Sequence, residues 1–241
     1  QTPAFKTNQE MLHIGLQLIG KLTELEQFEE RKIEESEWEN AWKAHFTPLR
    51  IGKHIIVQPP WHKLEPDSKS IVIEIDPGLA FGTGHHPTTR RTLQCLEEFI
   101  KPADNVLDVG SGSGILSIGA AKLGAAKVLG VEIDSVAVKA GRENLVSNAV
   151  SGKVRFYNGS LPNPNIPFEW SDLTLANVNS VVLAKLAPEL NRSLKPNGTL
   201  ITSGILMNRL KEVADSFSNN GFQIIEQFQD DDWISLVSKK S

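Results

Sequence analysis

From residue 104 onward the apolar positions fall into a regular alternation. Short runs rich in β-branched residues predict strands: "NVLDVG" (105–110), "KVLGVEID" (127–134), "KVRFYNGS" (153–160), "DLTLANV" (172–178) and "TLITSG" (199–204). Between them, apolar residues recur at helical spacing in "GILSIGAAKLG" (114–124), "SVAVKAGRENLVSNA" (135–149), "SVVLAKLAPELNRSLK" (180–195) and "RLKEVADSFSNNG" (209–221). Pro196-Asn197-Gly198 predicts the end of the third of these helices. Strands alternating with helices imply βαβ units, and so a parallel sheet covered on both faces. The rhythm then breaks. "FQIIEQFQ" (222–229) and "DWISLVSK" (232–239) leave no room for a crossover helix, so they should pair antiparallel. The expected fold is α/β and Rossmann-like: a seven-stranded mixed sheet of five parallel βα units closed by a C-terminal antiparallel hairpin.

Upstream the pattern differs. Met11, Ile14, Leu18, Leu22, Leu25 and Phe28 sit three or four apart, one apolar stripe of an amphipathic helix that needs a covering surface. Residues 24–39 are rich in Glu, opposed only by Arg31 and Lys32; they read as a solvated helix face or as a docking patch for a basic partner. Trp38, Trp42 and Phe46 share a helix face as packing residues. "IGKHIIVQPPW" and "SIVIEID" read as short strands interrupted by Pro59-Pro60. A helical N-terminal segment or linker over 1–46 and a main domain over 47–241 are therefore expected.

Composition narrows the partners. The chain of 241 residues is 40% hydrophobic and 22% charged with a formal charge of -4, which argues against nucleic acid as main partner and leaves a basic protein compatible. One cysteine, Cys95, excludes an intramolecular disulfide and cysteine-rich zinc modules, and fits a reducing, cytoplasmic compartment. No apolar run approaches the ~20 residues that span a bilayer. The first residues, "QTPAFKTNQE", lack the apolar segment of a secretory signal and an initiator Met, so the true N-terminus is expected to lie further upstream.

Two stretches carry candidate chemistry. The run "DPGLAFGTGHHPTT" (76–89) could be a metal site, a phosphate cradle, a catalytic histidine pair or a long turn. Adjacent histidines in a strand point in opposite directions, and no cluster of ligating residues accompanies them, so no metal is expected. The second stretch, "VLDVGSGSGIL", sets Gly110, Gly112 and Gly114 after a strand and at the opening of a helix, where open α/β sheets bind nucleotide-like ligands. The dinucleotide fingerprint G-x-G-x-x-G fails here: the third glycine would fall on Ile115 or on Ser117. No phosphate-binding Lys follows, so a P-loop is excluded too. The loop is G-x-G-x-G, suited to a ligand without phosphates such as S-adenosylmethionine. Glu132, about 20 residues on, stands where a carboxylate accepts from ribose hydroxyls. Asp134 better fits the capping of the next helix, and Ser160 lies where an adenine is expected.

With "DPGLAFGTGHHPTT", "VLDVGSGSGILSIGAAKLGAAKVLGVEID" and "LANV" in this order, the chain resembles the bacterial methyltransferases that modify large-subunit ribosomal protein eleven. The resemblance runs from about Trp38 to the C-terminus and includes "EWENAWKAHFTPLRIGK" and "GILMNRLKEVADSF". It implies a class I methyltransferase fold over 47–241 and methyl transfer from S-adenosylmethionine to lysine and N-terminal amines of a basic ribosomal protein. A cytoplasmic monomer without direct nucleic-acid or membrane contact is expected. It assigns cofactor contacts to Thr89, Gly110, Glu132 and Asn177. Many members have Thr where this chain has His85, and a bulky aliphatic residue where it has Asn179. The family also carries a small N-terminal substrate-gripping domain; either segment 1–46 is a remnant of it or this protein recognises its substrate differently.

Methyl transfer to an amine is an in-line displacement, so alignment and desolvation should supply most of the acceleration. The amine must arrive neutral, and a neighbouring sulfonium and a dry pocket both favour that state. Asn177 is the expected catalytic residue, its amide oxygen aiming the amine's lone pair. In the run 76–89, Phe81 is expected to cover the cofactor, Gly82 and Gly84 to permit its close approach, and Thr89 to offer a hydroxyl. His86 could accept a proton or hold the loop by hydrogen bonds, and holding is favoured. A nicotinamide oxidoreductase and a non-catalytic binding module that kept the cofactor fold are the competing readings.

Overall fold

In the computed structural model, residues 46–76 and 82–241 are described, and Phe46–Ser241 forms one compact unit. The N-terminal stripe, the Glu-rich stretch, Trp38, Trp42 and Phe81 lie outside the described residues. Phe46, expected on a helix face, stands in irregular chain ahead of β1 (Leu49–Ile51), β2 (Ile55–Gln58) and β3 (Ile71–Glu74). These form a small sheet in which β1 and β2 are antiparallel and β2 and β3 parallel. Helix α1 (Pro87–Phe99) leads into β4 (Asn105–Val109), α2 (Ile115–Lys122), β5 (Lys127–Glu132), α3 (Ser135–Ser147) and β6 (Val154–Asn158). The chain continues through β7 (Ser171–Asn177), α4 (Ser180–Ser193), β8 (Leu194–Leu206), a short 3-10 turn, α5 (Leu210–Asn219), β9 (Phe222–Asp230) and β10 (Trp233–Lys240).

The large sheet has the order β6-β5-β4-β7-β8-β10-β9, with β6 through β8 parallel and β10 antiparallel to both its neighbours. The seven-stranded mixed sheet and its closing hairpin are as the sequence pattern predicts. Two features differ. Strand β8 begins at Leu194, directly after α4, and Pro196-Asn197-Gly198 bulges out of it where β7 moves only from Ser171 to Leu173. Helix α1 stands outside the expected elements. Pro87 occupies its first turn, where a missing N–H costs nothing, and His86 caps it.

Alternation along the strands splits the core into two layers. Val106 and Val128 face α1, α2 and α3 together with the small sheet; Leu107, Val109 and Leu129 face α4 and α5. Arg91 of α1 donates twice to Asp230 of β9, at 2.9 and 3.0 Å, and so ties the helix to the far edge of the sheet. At the edge of the small sheet, Asn148 imitates a strand partner for β3: its Oδ1 accepts from Glu74 N at 2.9 Å and its Nδ2 donates to Glu74 O at 2.6 Å. Buried amides of this kind are costly to remove, because the groups left behind have no water. Asn148→Ala should lower unfolding free energy by about 1–3 kcal/mol, read as a lower denaturant midpoint at unchanged slope.

Candidate functional site

Beyond the carboxyl ends of the parallel strands lies a cavity of about 270 Å³, at the position where doubly wound sheets bind ligands. Thr89, Gly110, Gly112, Glu132, Ser160 and Asn177 all line it, together with an apolar wall that includes Leu116, Val131, Val182 and Leu186. These six expected residues are thus brought to one place, whereas Gly84 does not line the cavity.

The floor is the loop after β4. Gly110 N and Ser111 N both donate to the Val131 carbonyl, at 2.9 and 3.2 Å, which folds the loop back over β5. Gly110 has φ +76, and a Cβ there would stand 2.4 Å from Val178 Cγ1, so only glycine fits. Gly114 answers to a different neighbour. A Cβ on it, on Gly130 or on Gly141 would strike the ring of Phe156 at 2.9 Å or less. The ring of that buried β6 residue therefore fills a socket made by three missing side chains.

Glu132 is less free than expected for a ribose ligand. Its Oε2 accepts from Gly112 N and its Oε1 from Asp134 N, each at 3.0 Å. Each oxygen keeps a second lone pair for a ligand hydroxyl, so the residue both sets the loop and remains an acceptor. Asp134 caps α3 through Val136 N at 2.8 Å, as expected.

Asn177 and Thr89, 88 residues apart, meet directly: Asn177 Nδ2 donates to Thr89 Oγ1 at 3.3 Å. Thr89 is buried in the first turn of α1 rather than on an open loop. The bond assigns the amide nitrogen to Thr89 and leaves Asn177 Oδ1 as an acceptor. His86 supports the same helix end. Its Nδ1 accepts from Thr88 N at 3.3 Å, and its ring meets Trp233 edge-on at 5.1 Å. Thr83 Oγ1 lies 3.4 Å from Nδ1 of His85, whose ring packs on Phe46. No group of residues able to hold a metal occurs among the described residues.

The run before α1 is fastened to the floor. Ser113 Oγ donates to the Gly82 carbonyl at 2.6 Å, and Asn144 of α3 bridges Ser113 O at 2.9 Å and Asp76 N at 3.3 Å. The close approach that Gly84 permits is to Val57 and Ile115, not to a cofactor, which corrects the expectation for that glycine. Sequence reasoning missed Ser113, Asn144 and Asn148. Two asparagines one turn apart inside a helix, where asparagine is disfavoured, were the available signal.

It also missed Asp108. This residue is fully buried under the loop; its Oδ2 accepts from Ser117 Oγ at 2.6 Å, while Oδ1 and the nearby Ser111 hydroxyl have no partner. Burial pushes its carboxyl up to about 6, with the Glu132 charge adding and the Ser117 hydrogen bond opposing. Among the described residues lining the cavity none is Lys or Arg, and the charged one is Glu132. A diphosphate would face a carboxylate there. A ligand with a cationic end and hydroxyls fits what the lining residues offer: the Glu132 carboxylate, the orphaned Ser111 hydroxyl and an apolar wall.

Residues 3–241 match the sequence profile of the family described as Ribosomal protein L11 methyltransferase (PrmA). A ribosomal protein L11 methyltransferase from Chloroflexus aurantiacus is 38% identical over 98% of this chain and 79% of its own length. Those from Desulforamulus reducens and Desulfitobacterium hafniense are 41% and 40% identical, over 87% and 86% of this chain. The chain spans 68% and 65% of those two relatives. The crystal structure of a ribosomal protein L11 methylase from Lactobacillus delbrueckii subsp. bulgaricus superimposes with a TM-score of 0.75 at 32% identity, covering 81% of this chain and 100% of that one.

Proposed function

Because the chain belongs to the ribosomal protein L11 methyltransferase family, we propose that its cavity holds S-adenosylmethionine for methylation of amines on ribosomal protein L11. Supporting this reading above all is the convergence of Thr89, Gly110, Gly112, Glu132, Ser160 and Asn177 on one cavity without a lining cation. The cofactor supplies an electrophilic methyl group on a sulfonium. Everything else is the work of this chain's residues.

The Gly110–Gly112 backbone would admit the amino-acid end, Glu132 would accept from the ribose hydroxyls, and Ser160 would meet the adenine. Leu116, Val182 and Leu186 exclude water, which favours a neutral acceptor amine. Thr89 holds the Asn177 amide, and Asn177 Oδ1 accepts an N–H from the incoming amine so that its lone pair faces the methyl carbon. Thr89→Val should therefore lower kcat about tenfold with little change in fold, since it removes one hydrogen bond to a positioned group.

We further propose that the protein acts as a cytoplasmic monomer on lysine and N-terminal amines of its substrate, without direct nucleic-acid contact. No helix among the described residues is long and apolar enough to cross a membrane. Incubation with methyl-labelled cofactor and purified ribosomal protein L11 tests the whole reading. Label recovered as methylated lysine or α-amine is expected. Cofactor binding by calorimetry without any transferred label would overturn it.

A further inference from the structure

Strand β8 ends beside the catalytic asparagine. Ser203 is the β8 partner of Asn177 across the β7–β8 ladder, and Gly204 follows it with φ +82. A Cβ on Gly204 would stand 2.5 Å from the Val178 carbonyl oxygen and 3.4 Å from Asn177 Oδ1. Two acceptors from consecutive residues thus crowd one glycine. No real Cβ tolerates backbone at that distance, so a side chain here would drive β7 and β8 apart by about an ångström.

Which side would yield is set by the fastenings. Ser203 Oγ lies 2.7 Å from Ser235 Oγ, and Leu206 N donates to Ser180 Oγ at 3.2 Å, so β8 is held on both sides of Gly204. The Asn177 side chain is held by one longer bond, the 3.3 Å contact to Thr89. Displacement therefore falls on Asn177 and Val178. Resting on the reading of Asn177 as the residue that orients the acceptor amine, we infer that Gly204 is a positioning residue: its missing side chain lets the Val178 carbonyl and the Asn177 amide oxygen share one space at the methyl-transfer end of the cavity.

Gly204→Ala carries two costs, backbone strain and displacement of the acceptors, and only the second is specific. Gly221→Ala isolates the first. Gly221 has φ +76 in the turn between α5 and β9, at the opposite end of the sheet, and its Cβ would meet only the Asn191 side chain, at 3.2 Å. Both variants should lose comparable thermal stability. Gly204→Ala should lose kcat about 100-fold, the scale of an ångström of misplacement, with cofactor dissociation constant within a few-fold of wild type; Gly221→Ala should keep kcat. Equal kcat in the two variants would overturn the inference, as would cofactor affinity falling in step with kcat.

Should Gly204→Ala fail to fold, wild-type protein crystallised with a bisubstrate analogue decides, the cofactor carrying an aminoalkyl chain in place of the methyl. Its nitrogen within hydrogen-bond distance of both Asn177 Oδ1 and Val178 O supports the role of Gly204. A nitrogen bonded to Asn177 alone, or to neither, sinks it. Binding of S-adenosylmethionine without binding of the analogue would count first against the amine-acceptor reading, and the inference would fall with it.

Discussion

Asn177→Ala should lower kcat by about 10²- to 10³-fold, the scale at which removing one preorganised hydrogen-bonding group slows a reaction. The dissociation constant of S-adenosylmethionine should stay within a few-fold of wild type. The asymmetry follows from where the amide points. Its nitrogen is committed to Thr89, so the part lost to the reaction is Oδ1, which in the proposed function would accept from the amine. The cofactor would keep the Gly110–Gly112 floor, Glu132 and the apolar wall. Steady-state kinetics at saturating cofactor, paired with calorimetry, checks both halves. Unchanged turnover would reject an acceptor-orienting role. A small loss of stability is also expected, because the truncation takes away the amide that donates to the buried Thr89 hydroxyl.

The second large effect is on pH. Asp108 is buried, short of a partner at Oδ1 and pushed up to about 6. Ser117 of α2, Gly130 and Glu132 of β5 and the Ser111 turn surround it, and Glu132 is the charged group that adds to the shift. A cation bound above the loop favours the ionised carboxyl and draws its affinity for protons back toward the ordinary 3.8. Binding must then expel a proton at acid pH. Cofactor affinity should be flat above about pH 6 and fall by up to tenfold per pH unit below it, approaching about 100-fold by pH 4. Asp108→Asn should abolish that slope. Titration calorimetry in two buffers of different ionisation enthalpy at pH 5.5 reads the released proton directly, and no difference between buffers would refute the linkage.

The same carboxyl opposes folding at neutral pH. With its folded pKa above the unfolded one, folding is least hindered below about pH 4, where both states are protonated. The penalty grows as pH rises toward 6 and then stays constant at about 3 kcal/mol.

How much of this was legible in the chain depended on distance along it. The sheet was, because strand and helix periods are local, and so was the floor, because glycines every second residue after a strand signal a turn. Helix α1 was not. Its first turn, Pro87 to Thr89, fell inside the glycine-rich run read for its chemistry, and no helix was expected over Leu93 and Leu96. The insertion of β10 between β8 and β9 was not legible either, since an antiparallel hairpin has the same local pattern at an edge or inside a sheet. The fastening of Asn177 by Thr89 spans 88 residues and has no local sign at all. Asp108 had one, an acid inside an apolar run, whose meaning needed burial to read.

The socket around Phe156 changes what the third glycine of G-x-G-x-G means. Gly114 belongs to a set of four positions, with Gly130, Gly141 and Phe156, that no single substitution can satisfy. Enlarging any glycine demands a smaller ring, and shrinking the ring leaves a void that three separate elements border. The four positions therefore constrain one another sterically. A chain that keeps this quartet preserves the platform for a cofactor even if every residue that touches the cofactor has changed.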